Sequence, residues 1–142
     1  MKTSEDTLRS GGCQCGNVRY ELTGEPVMLS VCHCLECQKQ SVSAFGMTWR
    51  VRRQDFRLVR GEPRYWNRPT DSGRITECAF CPVCGSRVWH QAAADSDLVG
   101  IKAGSLDVPV DFAAAIHIWT KRKLHGVVIP PGAAQYPEGP PA

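Results

Sequence analysis

No apolar run in the 142-residue chain approaches the roughly 18 residues that cross a bilayer. The longest candidate, from Phe112 to Trp119, is interrupted by His117. A membrane span is therefore excluded. The N-terminal MKTSEDTLRSGG mixes both charge signs and lacks an apolar stretch, so no secretory leader is read there and the expected location is the cytoplasm. No repeat of solenoid length occurs, and no long 3.6-residue apolar period, which sets aside solenoids and coiled coils. With 42% hydrophobic and 22% charged residues, and only 13 Gly and 10 Pro, the composition fits neither collagen nor wholesale disorder.

Alternation with period two is what the chain does contain. Val18, Tyr20 and Leu22 share one face, as do Phe45, Met47, Trp49 and Val51. Shorter pieces follow at Phe56 and Leu58, at Val99, Ile101 and Ala103, and at Ile116 and Ile118, each bounded by Gly, Pro or Asp. Such alternation marks half-buried strands, so the chain reads as mainly β. Very little helix is expected beyond a turn or two from Leu35 to Gln40. The expected organisation is a disordered N-terminus over 1–10, one folded domain over 11–128 and a Pro/Gly-rich extended tail over 129–142.

Eight cysteines in a reducing compartment stay as thiols, and thiols grouped at short spacings are more often metal ligands than disulfide partners. Cys13-Gln-Cys15-Gly16 and Cys81-Pro-Val-Cys84-Gly85 each put two thiols on a tight turn closed by a glycine free to take positive φ. Each looks like half of a zinc knuckle. Together they form a closed four-thiolate site of the kind that holds a structural zinc. The second group, Cys32-His33-Cys34-Leu35-Glu36-Cys37, offers three thiols and leaves a fourth position open, the feature that separates catalytic from structural zinc. Cys78 is the eighth thiol. As a fourth ligand it would close the second site, and spacing alone leaves both arrangements open. Either way two zinc ions per chain are expected.

Taken in order, GGCQCGNVRYEL, CHCLECQKQSVSAF, AFCPVCGSRVW and AAIHIW resemble the glutathione-dependent formaldehyde-activating enzyme family, over about Gly11 to Tyr136. The combination is far more specific than any one motif. The resemblance implies a β-tent of small antiparallel sheets with zinc-knuckle turns. It implies a structural zinc on Cys13, Cys15, Cys81 and Cys84 and a catalytic zinc on Cys32, Cys34 and Cys37. The implied reaction joins glutathione and formaldehyde into S-(hydroxymethyl)glutathione, and the enzymes are classed as carbon-sulfur lyases because that bond can also be broken. This chain departs from the family pattern at Gln38, where a basic residue is usual, at Val42, where glycine is usual, and at Cys78, which is not a family cysteine.

An ion held by three thiolates is a weak Lewis acid, yet it still favours ionisation of a substrate thiol, whose free pKa is about 8.5. Two histidines are candidates for proton handling. His33 sits between two ligands, and His117 matches a family histidine on a strand, a hydrogen-bonded structural role being the alternative for it. Seven arginines between Arg50 and Arg68 face only Asp55 and Glu62, a local charge of +5 against +3 for the whole chain. They could bind the carboxylates of an anionic thiol such as glutathione, or line a solvated strand face. Other classes of function stay open: a non-catalytic zinc-stabilised module that binds protein or nucleic acid, a carrier of glutathione or its adduct, and a thiol redox enzyme. Of the partners, a small-molecule thiol is expected, a membrane is not, nucleic acid is the weaker expectation, and the oligomeric state is open.

Overall fold

The computed structural model describes residues 7–70, 73–92 and 96–140. Its elements run β1 (Leu8–Gly12), β2 (Arg19–Thr23), β3 (Met28–Cys32), α1 (Leu35–Ser41), β4 (Gly46–Arg52), β5 (Phe56–Arg60), β6 (Arg64–Pro69), β7 (Ile75–Phe80), β8 (Arg87–Ala92), β9 (Leu98–Lys102) and β10 (Ile116–Ile118). The mainly β expectation holds, and α1 is the one α-helix among the described residues. No described helix is long and apolar enough to cross a membrane. The segment read as a disordered N-terminus is only partly accessible to comparison, since residues 1–6 lie outside the described residues, while β1 already begins at Leu8.

Two compact units divide the chain, one formed by Met1–Val27 and Trp49–Val110 and the other by Met28–Thr48 and Asp111–Ala142. In the first, β1, β2 and β5 make an antiparallel sheet in that order. Tyr20 and Leu22 alternate inward from β2 and, with Val18 just before it, are buried, as the sequence pattern requires. Gly11 lies opposite Tyr20 in the register, where a Cβ would collide with the phenol. The Tyr20 hydroxyl is thereby free to meet Ser105 Oγ at 2.6 Å.

The same unit holds β4, from Trp49 onward, then β9, β8, β7 and β6 as successive neighbours. One face of these strands is core. Trp89 packs edge-on against Tyr20, Phe56 and Tyr65 at 6.2, 4.8 and 6.4 Å between ring centroids, with Val51, Val99 and Ile101 buried. Strands β6, β7 and β8 were not anticipated. β7 carries apolar residues on both faces, Ile75 and Ala79 on one and Cys78 and Phe80 on the other, and β6 places Trp66 between Arg64 and Arg68 on one face instead of alternating apolar with polar.

In the second unit β10 pairs with β3 in parallel, Ile118 beside Cys32 and His117 beside Val31. The burial within β10 is the reverse of the one its isoleucines suggest: His117 is buried and both isoleucines are half-buried. The Pro/Gly-rich tail is irregular but anchored. His117 N donates to Ala134 O at 2.8 Å, Tyr136 N to His117 O at 2.9 Å and Trp119 N to Glu138 O at 2.9 Å, so the tail supplies β10 with partners on its free edge.

Candidate metal centres

The first cysteine group is assembled by two turns, one between β1 and β2 and one between β7 and β8. They share a construction. Gly16 N returns to Cys13 O at 3.2 Å and Gly85 N to Cys81 O at 2.8 Å, and the glycines take φ of 82° and 81°, as the C-x-C-G and C-x-x-C-G spacings predict. Amides point at sulfur: Val18 N lies 3.2 Å from Cys13 Sγ, and Val83 N and Cys84 N lie 3.3 and 3.4 Å from Cys81 Sγ. Such donors favour thiolates over thiols. Ser86 joins the turns, its hydroxyl accepting from Gln14 N at 3.2 Å and meeting Cys84 Sγ at 3.3 Å. The sequence carries no signal that would single out this serine.

The four sulfurs fit a tetrahedral ion. Bonds of about 2.3 Å to zinc would place neighbouring sulfurs about 3.8 Å apart, and Cys15 Sγ lies 3.6 Å from Cys13 Sγ and 3.7 Å from Cys81 Sγ. A disulfide needs about 2.05 Å, and none of the eight cysteines is in one. Crowded thiols ionise unequally. Cys84 is pulled down to about 5, first by the Ser86 hydroxyl and then by backbone donors.

Cys32 ends β3, Cys34 caps α1 and Cys37 sits in its first turn. The Cys34 sulfur accepts from Cys37 N at 3.3 Å, an N-cap made by a thiol. The three sulfurs lie within 4.8 Å of one another, as do the four of the first group. Hydrogen bonds from Cys32 and Cys37 hold Cys34 down to about 2, and the same contacts with Cys34 and Cys37, together with burial, push Cys32 up. Both cysteine groups could therefore hold metal ions.

Three further residues set the second group. Gln38 Nε2 donates to His33 O at 2.8 Å and to Arg122 O at 3.0 Å, clamping the turn with a neutral donor. Gly46 makes room for Cys37, since a Cβ there would come within 3.2 Å of Cys37 Cβ and 3.4 Å of its sulfur. Val42 takes φ 49°, ψ 45° as the left-handed residue that ends α1. The Gly46 position is visible only once the backbone is known.

His33 is completely buried and His117 nearly so. His33 Nε2 and His117 Nδ1 are 3.0 Å apart, and the Phe45 ring meets His33 edge-on at 5.5 Å. Burial lowers both imidazoles from their usual range, His117 and Lys123 adding to the effect on His33, so one ring donates to the other with both neutral. Cys78 belongs to neither sulfur group. It is buried on β7 opposite His90 and Trp66, its thiol 3.8 Å from Thr76 O.

Comparison with family descriptions matches residues 8–122 to "Glutathione-dependent formaldehyde-activating enzyme". A crystal structure of a Rhodobacter sphaeroides protein superposes with a TM-score of 0.54 at 22% identity, covering 89% of this chain and 98% of that one, a likeness of fold. A search of curated proteins returned no match.

Proposed function

The chain belongs to the glutathione-dependent formaldehyde-activating enzyme family, and on that premise we propose that it is a zinc-dependent carbon-sulfur lyase that joins glutathione to formaldehyde or splits the adduct. The reaction is centred on Cys32, Cys34 and Cys37. Cys13, Cys15, Cys81 and Cys84 hold a structural zinc. The observation that carries the reading is the difference in donor number: four sulfurs converge in one group and three in the other. A three-donor group retains room for one external ligand, and a thiol is the ligand this soft donor set accepts.

Held by Cys32, Cys34 and Cys37, a zinc ion would supply positive charge that favours ionisation of an incoming thiol at neutral pH. The remaining work falls to the chain. The helix N-terminus at Cys34 and the Gln38 clamp fix the spacing of the three sulfurs. Burial of His33 against Phe45 and His117 keeps the residue between Cys32 and Cys34 from turning outward. In the forward direction the thiolate sulfur adds to the aldehyde carbon, the carbonyl π pair moves to oxygen, and one proton is taken up to give the hydroxymethyl group. Water can deliver that proton, and His117, still 7% exposed, is the nearer of the two imidazoles to solvent.

Formaldehyde adds to thiols unaided, which makes a carrier of glutathione or its adduct the second reading. The two separate by kinetics on zinc-loaded protein. Adduct formation must accelerate in proportion to protein concentration if the chain is an enzyme, and a Cys37→Ser protein retaining one zinc must not accelerate it. A rate independent of protein concentration, with glutathione still bound, would establish the carrier. In cobalt-substituted protein, glutathione should change the visible spectrum through the three-sulfur group. An unchanged spectrum would argue against an open position there.

A further inference from the structure

The seven arginines between Arg50 and Arg68 do not form one face. Arg57 pairs with Glu21, while Arg53 donates to Ser96 O at 2.9 Å and to Gln91 Oε1 at 2.8 Å. Strand register gathers a different set. Across β6, β7, β8 and β9, Trp66 lies opposite Cys78, Cys78 opposite His90 and His90 opposite Gly100. Directly paired residues point to the same side of a sheet, and alternation adds Arg64 and Arg68 on β6, Lys102 on β9 and Arg50 on β4. Arg87, opposite Phe80 at the bulged end of the β7–β8 ladder, completes the group. This is the side opposite Trp89, and Cys78 is buried on it.

At its centre a histidine lies over a glycine. A Cβ on Gly100 would come within 2.6 Å of His90 Nε2 and 2.7 Å of Cε1, so the imidazole rests on the bare backbone of β9. His90 Nδ1 is shielded from solvent with no hydrogen-bond partner, and so is Arg50 Nε. Burial, then Lys102, Arg50, Arg68 and Arg87, hold His90 well below its usual range, which places four cations around a neutral ring. Arg87 is stacked over Trp66, 5.5 Å from guanidinium carbon to ring centroid. Neither Arg50 nor Arg87 pairs with a carboxylate among the described residues. Glu77 is turned to the opposite face, where Gln91 Nε2 donates to it at 3.2 Å.

Arg50 Nε, a buried donor without a partner, is unfavourable in isolation, and so are two guanidinium groups with no carboxylate beside them. A single anion resolves both. We propose that this face of β4, β9, β8, β7 and β6 is a binding site for a small oxyanion, a carboxylate or phosphate group, held by Arg50 and Arg87 above His90. The guanidinium forks match the two-oxygen geometry of either group. Size argues against a nucleic-acid strand: Arg50 Nε is shielded from solvent, whereas strand binding uses a line of exposed cations. The proposal does not rest on the reaction assigned to the cysteines, and it can stand or fall alone.

The test uses full-length, metal-loaded protein and two probes: inorganic phosphate, and S-methylglutathione, whose blocked sulfur leaves its carboxylates as the recognisable anions. Binding is followed by calorimetry and by amide shifts of His90 and Gly100. Saturable binding of at least one probe is expected, weakened about tenfold or more in Arg50→Gln and in Arg87→Gln and unchanged in Arg57→Gln. Phosphate alone would identify a phosphate-bearing ligand, and S-methylglutathione alone a carboxylate. Arg50 Nε is shielded from solvent, so the Arg87→Gln variant serves if Arg50→Gln fails to fold. The proposal is overturned if neither probe saturates at millimolar concentration, if Arg57→Gln weakens binding equally, or if only a single-stranded oligonucleotide binds these residues.

Discussion

Replacing Val42 with glycine should stabilise the protein. Val42 ends α1 in the left-handed region at φ 49°, with Ser43 N returning to Gln38 O and Val42 N to Lys39 O, both at 3.2 Å. This is the paired hydrogen-bond pattern of a glycine-terminated helix, carried by a β-branched residue. The left-handed conformation costs an L-residue about 1–2 kcal/mol, the upper end suiting a branched Cβ. The side chain is 89% exposed, so deleting it removes almost no packing. Against this, glycine loses about 0.4–1 kcal/mol through the freer unfolded chain. The balance is about 0.5–1 kcal/mol in favour of Val42→Gly, or about 2–3 °C in thermal midpoint at this chain length. Val42→Ala keeps the left-handed cost and should fall between the two. Unfolding of the three metal-loaded proteins followed by circular dichroism decides the matter. A Val42→Gly midpoint at or below that of Val42→Ala would refute the assignment of strain to this position.

Cys81→Ser should remove one metal ion per chain and lower stability by several kcal/mol, because the ion's binding energy is coupled to folding. Cys37→Ser should remove the other ion and abolish adduct chemistry, which metal analysis and turnover would show together. Cys78→Ser should leave metal content unchanged, and loss of an ion would assign Cys78 as a ligand. The lowered pKa of His90 makes stability dependent on pH. The native ring binds fewer protons than the unfolded one, so its contribution is complete above about pH 6.5 and declines as pH falls below that value toward the lowered native one, by up to about 1.4 kcal/mol per pH unit. Urea unfolding at pH 7.5 and 5.5 should show a smaller loss in His90→Gln than in the parent protein, and equal losses would remove His90 as the source.

The cysteine groups were legible because metal ligation constrains spacing locally: a C-x-C-G or C-x-x-C-G run must turn tightly wherever it stands. The strand from Val18 to Leu22 was legible because one face is core and the other is not. The same rule fails for β6, where Arg64, Trp66 and Arg68 share one face, Tyr65 and Asn67 the other, and neither face is buried. It fails again in β10, where the tail from Ala134 to Glu138 covers the strand edge and His33 takes up His117, reversing the burial that the isoleucines suggest. Both failures have one physical origin. Burial is decided by what pairs across strands, and pairing partners lie far away in the sequence.

The arginine-rich stretch shows how far this reaches into function. Along the chain it is a single basic segment with two acids in it, and its charge suggests one surface. Strand pairing separates it: Arg57 is matched by Glu21, Arg53 is spent on Ser96 and Gln91, and Arg50, Arg64 and Arg68 are carried to one side of the sheet. There they meet Arg87 and Lys102, cations outside the stretch, and a histidine bedded on Gly100. Local charge in the sequence therefore overstates the segment and understates the site. A carboxylate-bearing thiol and a phosphate would both be drawn to the overall excess of cations, but only a small group can reach the recessed Arg50. Recess, more than charge, is what would make the site selective.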